Sequence, residues 1–411
     1  MRSRMFWRLV FVSVLLLVPL SIFIAPGAVA AVFSAVVFAA PVWVPFTLAM
    51  LLAPLWLTYV RSLYVFQVPY TTLELKPGEN TPKSAQAMEL VFYSLHHRAN
   101  IPRARELLFG EIRLPWSFEI AATNGTVRFF MRIPKSHRRA VELRLSAEYR
   151  DLDIDEVRDH ARLMRFDPVS MKLVAREYAL AKPDPYPLKT YVAYESEAKP
   201  RDPFQEILER LVAFGKGEHC VISFIVRPHH RERKHIWSRV MDTLHTDAHE
   251  EIAKILGSER ELEALPEGKQ RLIREIETAL KKPSFDCGIR AVYFAKHGTF
   301  NEERAGMLDT FLDPFADATL NAFEARNPKP RVGWPLSDLF AAVPWLADMY
   351  QHNLFRRRAY FAPPYRGEPF ILNTAELATV YHLPHITRAS PLSRGTGKRL
   401  EPPENLPLAA A

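Results

Sequence analysis

The chain reads as an α+β protein: an N-terminal two-helix transmembrane hairpin followed by two α/β sandwich domains. Three observations predict this. No charged residue and no histidine occurs from Leu9 to Val60. Beyond Thr71 the apolar residues switch repeatedly between a period of two and a period near four. A 411-residue chain with 48% hydrophobic and 24% charged residues has the length and composition for two or three packed domains. Its two cysteines, Cys220 and Cys287, make neither a CxxC pair nor a staple network, so packing must hold the fold.

As helix, the 52 uncharged residues would run about 78 Å, against about 30 Å for one hydrocarbon core. Two spans fit and three do not. Pro26-Gly27 is the strongest breaker and marks the expected turn, while Pro41, Pro45 and Pro54 are expected to kink the second helix. The anchor therefore occupies residues 1–62. Arg2, Arg4 and Arg8 before the stretch and Arg61 after it place both termini and the body on the cytoplasmic side of a bacterial inner membrane. A cleaved signal peptide is the competing reading, with Ala28-x-Ala30 as its processing site, yet the apolar run beyond it would still leave a membrane segment. Those four arginines also supply half the net charge. The sequence carries 54 basic and 46 acidic residues, a balance of +8 that falls to +4 without them, so the charge speaks only weakly for a polyanionic partner.

The first domain is expected over 63–160. An extended segment at 71–75 is followed by a turn at 76–80. Thr81-Pro82 then supplies an N-cap hydroxyl and a ring already at helical φ, for a helix reaching His97. Phe118 and Ile120 alternate with polar neighbours, Asn124-Gly125 makes a two-residue turn, and Val127, Phe129, Met131 and Ile133 alternate again: a β-hairpin. Pro134 stops the strand. Val141, Leu145 and Tyr149 share one helical face, and 152–157 closes the unit. The order βαββαβ is that of the ferredoxin-like split motif.

A second α/β domain, 165–325, is expected to hold strands near 171–180, 188–195, 219–227 and 288–296. Its helices would lie near 203–213, 238–281 in two pieces broken around Pro266, and 301–323. Linkers are read at 182–187, Lys199-Pro200 and 327–330. Residues 326–386 would carry an amphipathic helix over 336–354, with Trp345 on it and Asp338 and Asp348 arguing against a third span. A docking segment follows, with Asn373 or Thr374 as cap and Leu377 and Tyr381 on one helical face; local packing against the second domain is its competing reading. The proline-rich tail, 387–411, is expected to be disordered alone.

Catalytic signatures are missing from the sequence. The nearest phosphate-loop string, Gly395-Thr396-Gly397-Lys398, has Leu392 where the first glycine must turn the loop and Arg399 where a hydroxyl must reach Mg²⁺. There is no GxSxG elbow and no dinucleotide fingerprint. His245 and His249 share a helical face, but the HExxH carboxylate of a hydrolytic zinc site is missing, so a solvated polar face is the better reading. Accordingly no enzyme activity, catalytic residue, cofactor, metal site or small-molecule substrate is expected.

Two basic and aromatic clusters remain. One holds Arg227, Arg231, Arg233, Lys234, Trp237 and Arg239; the other holds Arg356, Arg357, Arg358 and Tyr360. Cationic side chains can neutralise phosphates and aromatics can stack on bases, so both could follow a nucleic-acid strand. Anionic headgroups near the anchor, or plain solvent, suit them as well.

Several stretches together resemble a family of uncharacterised membrane-tethered proteins of candidate-phylum bacteria, encoded beside conjugative-transfer or type IV secretion ATPases. They are SAQAMELVFYSLH (84–96), PWSFEI (115–120), FFMRIPKSHRRAVELRLSAEY (129–149), DPYPLKTY (184–191), KPSFDCGIRAVYFAK (282–296), ILNTAELATVYHLPH (371–385) and PPENLP (402–407). The resemblance implies a membrane-anchored, non-enzymatic scaffold or adaptor that meets the bilayer and a translocation ATPase or other secretion-machine subunits. A membrane-linked nucleic-acid-binding protein is the alternative, and a metal-dependent hydrolase using His245 and His249 the third reading.

Overall fold

The computed structural model describes residues 26–78, 84–96, 101–230, 243–257, 263, 265–328, 343–361 and 367–384. They fall into two compact units, Met1–Val60 and Arg61–Ala411. In the first, helix α1 (Pro26–Phe38) is followed after Ala39 by α2 (Ala40–Gln67). Among the described residues α2 is the one helix long and apolar enough to cross a membrane, 28 residues or about 42 Å. Val42, Phe46, Leu55 and Trp56 lie exposed on it, a surface that a bilayer would cover. Pro26 opens α1, and the first expected span lies outside the described residues. The break at Ala39 was not foreseen. Pro41 explains it, because near the start of α2 its missing N–H costs nothing, while its ring excludes the helical carbonyl four residues before it.

The second unit begins within α2 and contains, in chain order, β1 (Tyr70–Pro77), α3 (Gln86–Leu95), α4 (Arg103–Phe109), β2 (Trp116–Thr123) and β3 (Thr126–Pro134). Next come α5 (Arg138–Glu148), β4 (Leu152–Val157), α6 (His160–Leu163), β5 (Met171–Leu180), α7 (Tyr191–Glu195), α8 (Pro203–Val212) and β6 (Glu218–Pro228). The remainder is α9 (Thr243–Leu256), α10 (Glu267–Leu280), β7 (Ser284–Lys296), α11 (Glu302–Met307), β8 (Phe323–Arg326), α12 (Pro344–Arg357), β9 (Phe370–Asn373) and α13 (Thr374–Val380). Asn124 and Gly125 both take positive φ, 55° and 82°, as the two-residue hairpin turn requires.

The strands that sequence reasoning assigned to two domains lie in one antiparallel sheet, ordered β4-β1-β3-β2-β6-β7-β5-β8, with β9 beside β7. The two groups of four meet where β2 pairs β6, from Trp116↔Val226 to Thr123↔His219. Read inward from the opposite edges, both groups run fourth, first, third, second in their own chain order. One face carries the main core. Tyr381 lies 5.2 Å from Phe118 in the first group and 5.4 Å from Phe224 in the second, ring centre to ring centre. Phe92 joins Phe118 and Phe285 in the same way. Cys220 and Cys287 are buried strand residues, small hydrophobes in effect.

Two expected elements are corrected. Residues 188–195 do not form a strand, because Leu188 N–H donates to Glu376 Oε1 and Tyr191 N–H to Thr379 Oγ1, which draws the segment onto α13 and lets 191–195 turn as α7. The helix expected over 301–323 stops at Met307 and gives way to short 3₁₀ turns, the second containing Pro314, which cannot continue a helix. In addition, α3 starts at Gln86 with Ala85 as its N-cap, later than the expected Thr81-Pro82 start, and Thr81 and Pro82 themselves lie outside the described residues. So do 336–342 of the expected amphipathic helix, which is described as α12, and the tail 387–411.

Candidate functional surfaces

The sheet face opposite the main core mixes buried charged groups with smaller apolar clusters, one around Phe130, Val221 and Phe294, and α12 with the segment after it lies there. Arg358 caps α12 in the left-handed region, φ 50°, which turns the chain onto the strands. Its Nε donates to Glu119 Oε1 at 2.7 Å, its Nη2 to Oε2 at 3.0 Å, and its Nη1 to Asp159 at 2.7 Å. Ser117 Oγ–H also donates to Glu119, and the His160 ring nitrogen lies 2.8 Å away. Burial alone would raise the Glu119 carboxyl, but the Arg358 guanidinium and His160 outweigh it and hold the group well below the usual carboxylate range. Thus Arg358, one of the residues read as a nucleic-acid contact, is a buried structural cation.

Two neighbours in these clusters are likewise spent inside the fold. The Tyr360 ring is buried against Gly288 and Gly367, where any β-carbon would overlap it, and its hydroxyl donates to Glu368 O at 2.8 Å. Arg227 Nε donates to Asp286 at 2.8 Å, and His229 Nδ1 holds the other carboxylate oxygen at 2.6 Å. Arg356 and Arg357 are exposed at the end of α12. Arg231, Arg233, Lys234, Trp237 and Arg239 lie outside the described residues.

The expected docking residues are buried rather than presented. Asn373 caps α13, its Oδ1 accepting from the N–H groups of Ala375 and Glu376, while Glu376 reaches back to Asn373 N–H in a capping box. Thr374, Leu377 and Tyr381 are closed off in the core. Glu376 also accepts from Leu188 N–H, so the sequence stretches 184–191 and 371–385 are packed on each other. Burial pushes the Glu376 carboxyl up to about 7, and that of Asp184 up to about 6, against the backbone N–H groups that favour their ionised forms.

A cavity of about 430 Å³ opens where β6 ends, lined by Tyr93, His96, His229, His230, His245 and Lys282 among others. His96 Nε2 lies 3.0 Å from Ser284 O, and Lys282 pairs with Glu89 at 2.6 Å. His245 lines this cavity from the first turn of α9, and both it and His249 are exposed. No group of three or more His, Cys, Asp or Glu side chains is arranged to hold a metal among the described residues. Sequence reasoning missed Glu119 and Asp286. The available signal was a carboxylate inside an otherwise apolar strand, which when buried needs a cationic partner.

No protein-family model matches the chain, and no curated protein matches it.

Proposed function

We propose that this chain is a membrane-anchored scaffold or adaptor that docks a translocation ATPase of a type IV secretion or DNA-transfer machine. In this reading a two-helix hairpin holds the body, with both termini, on the cytoplasmic face of a bacterial inner membrane. The observation that carries the proposal is the junction between α2 and the sheet. Only Val68 and Pro69 separate the apolar helix from β1, an inner strand of the sheet, which is about 7 Å of extended chain. Such a link keeps the body close to the bilayer, as a platform for a motor requires, whereas a long linker would make a loose tether. We read each group of four strands as a ferredoxin-like module and the two as duplicates joined through their second strands, a reading supported by the shared strand order.

The alternative, a nucleic-acid-binding protein, draws support from exposed Arg356 and Arg357. It is weakened because Arg358, Tyr360 and Arg227 are engaged inside the fold. Purification of the full chain from native membranes, followed by mass spectrometry, tests the proposal. A translocation ATPase should be recovered in stoichiometric amount, and its absence from gently solubilised complexes contradicts the adaptor reading.

A further inference from the structure

We infer that α4 and the end of α12 form a peripheral membrane footprint around the foot of α2, taking anionic lipid headgroups. This rests on the reading of α2 as the membrane helix. The uncharged stretch ends at Val60, so Arg61 marks the edge of the hydrocarbon. From the difference between total and hydrocarbon thickness, the headgroup layer adds about 5–8 Å on each side. Phe66, five residues further along the helix, lies about 7.5 Å beyond Arg61. The turns from Arg61 to Phe66 therefore cross the headgroup layer, and whatever touches them sits at that depth.

Two elements touch them. Arg61 pairs with Glu106 of α4 at 2.5 Å, and the Arg357 guanidinium lies 5.8 Å from the Phe66 ring centre. On α4, Phe109 is three residues from Glu106 and so neighbours it on the helix surface. Leu108 and Phe109 are 61% and 69% exposed, and Leu63 and Phe66 are exposed on α2. Single exposed apolar residues are ordinary, but four around one junction with arginines beside them make the mixed pattern of an interfacial anchor. Charge agrees. Glu106 is matched by Arg61 and Glu111 by Arg105 at 3.6 Å, while Arg356 and Arg357 have no carboxylate partner among the described residues and remain for lipid phosphates.

The test uses the full chain reconstituted in phosphatidylglycerol vesicles, with an environment-sensitive fluorophore on one introduced cysteine. Native Cys220 and Cys287 are buried and leave the label to the new site. Brominated lipid should quench the label at least twofold in Phe109→Cys and in Leu52→Cys, and leave exposed Leu143→Cys unchanged. In phosphatidylcholine the quench should fall by at least half at 109 and persist at 52. Quenching at 52 without quenching at 109, or a quench at 109 indifferent to lipid charge, overturns the footprint alone. Loss at both positions overturns the membrane reading of α2 as well.

Discussion

Arg358 grips Glu119 through two parallel hydrogen bonds, 2.7 and 3.0 Å, between residues 239 apart in the chain. Both side chains are almost wholly buried, so each is the condition for the other's charge. Replacing Arg358 by Met strands an ionised carboxylate in the sheet and should cost about 3–5 kcal/mol. Adding Glu119→Leu should restore much of that loss. Denaturant unfolding of the three variants in detergent checks the coupling, and additive losses would contradict it.

Tyr360 is enclosed by Gly288 and Gly367. A methyl group at 288 must displace the ring, so Gly288→Ala should destabilise by about 1–3 kcal/mol through overpacking. In a Tyr360→Ala background the same change should cost much less. Thermal unfolding of the double-mutant cycle reads this coupling.

Glu376 and Asp184 make stability depend on pH near neutrality. Burial raises both carboxyls, so between the ordinary values of 4.5 and 3.8 and the folded values of about 7 and about 6 the folded state binds more protons than the unfolded one. Their contribution is complete below the ordinary values and is lost as pH rises through the folded ones. Melting temperature should therefore fall from pH 5 to pH 8, and Glu376→Gln should flatten that slope. Glu119, Asp286 and Asp202, held below their ordinary values, act oppositely and only in acid.

Asn373 ends β9 and starts α13, satisfying two amide groups at once. Asn373→Ala should cost about 1–2 kcal/mol, as the loss of a helix cap does. Chemical denaturation measures it, and Asn373→Asp should retain most of the stability.

If the scaffold reading holds, the full chain should show no steep salt-dependent binding to single- or double-stranded DNA. Micromolar binding with a steep salt slope, abolished by Arg356→Ala with Arg357→Ala, would favour the nucleic-acid alternative.

Local patterns made much of the fold legible. Alternation at Val127, Phe129, Met131 and Ile133 and the Asn124-Gly125 turn announced the hairpin, because strand period and positive φ are properties of neighbouring residues. The joining of the two groups into one sheet was less visible, since edge pairing leaves no local mark. Its trace is that Trp116–Thr123 and Glu218–Pro228 are buried on nearly every residue, the habit of inner strands. Residues 188–195 misled because Tyr191, Val192 and Tyr194 favour strands, while their amide partners, Glu376 and Thr379, stand nearly 190 residues away. The same distance problem hid Glu119, whose partner Arg358 looked like one member of a solvated basic run.

Sidedness of the body is the most direct measurement. With a membrane-impermeant thiol reagent on intact cells, exposed Leu143→Cys should stay unlabelled until the membrane is permeabilised. Labelling before permeabilisation would put the sheet outside the cell, beyond reach of any cytosolic ATPase.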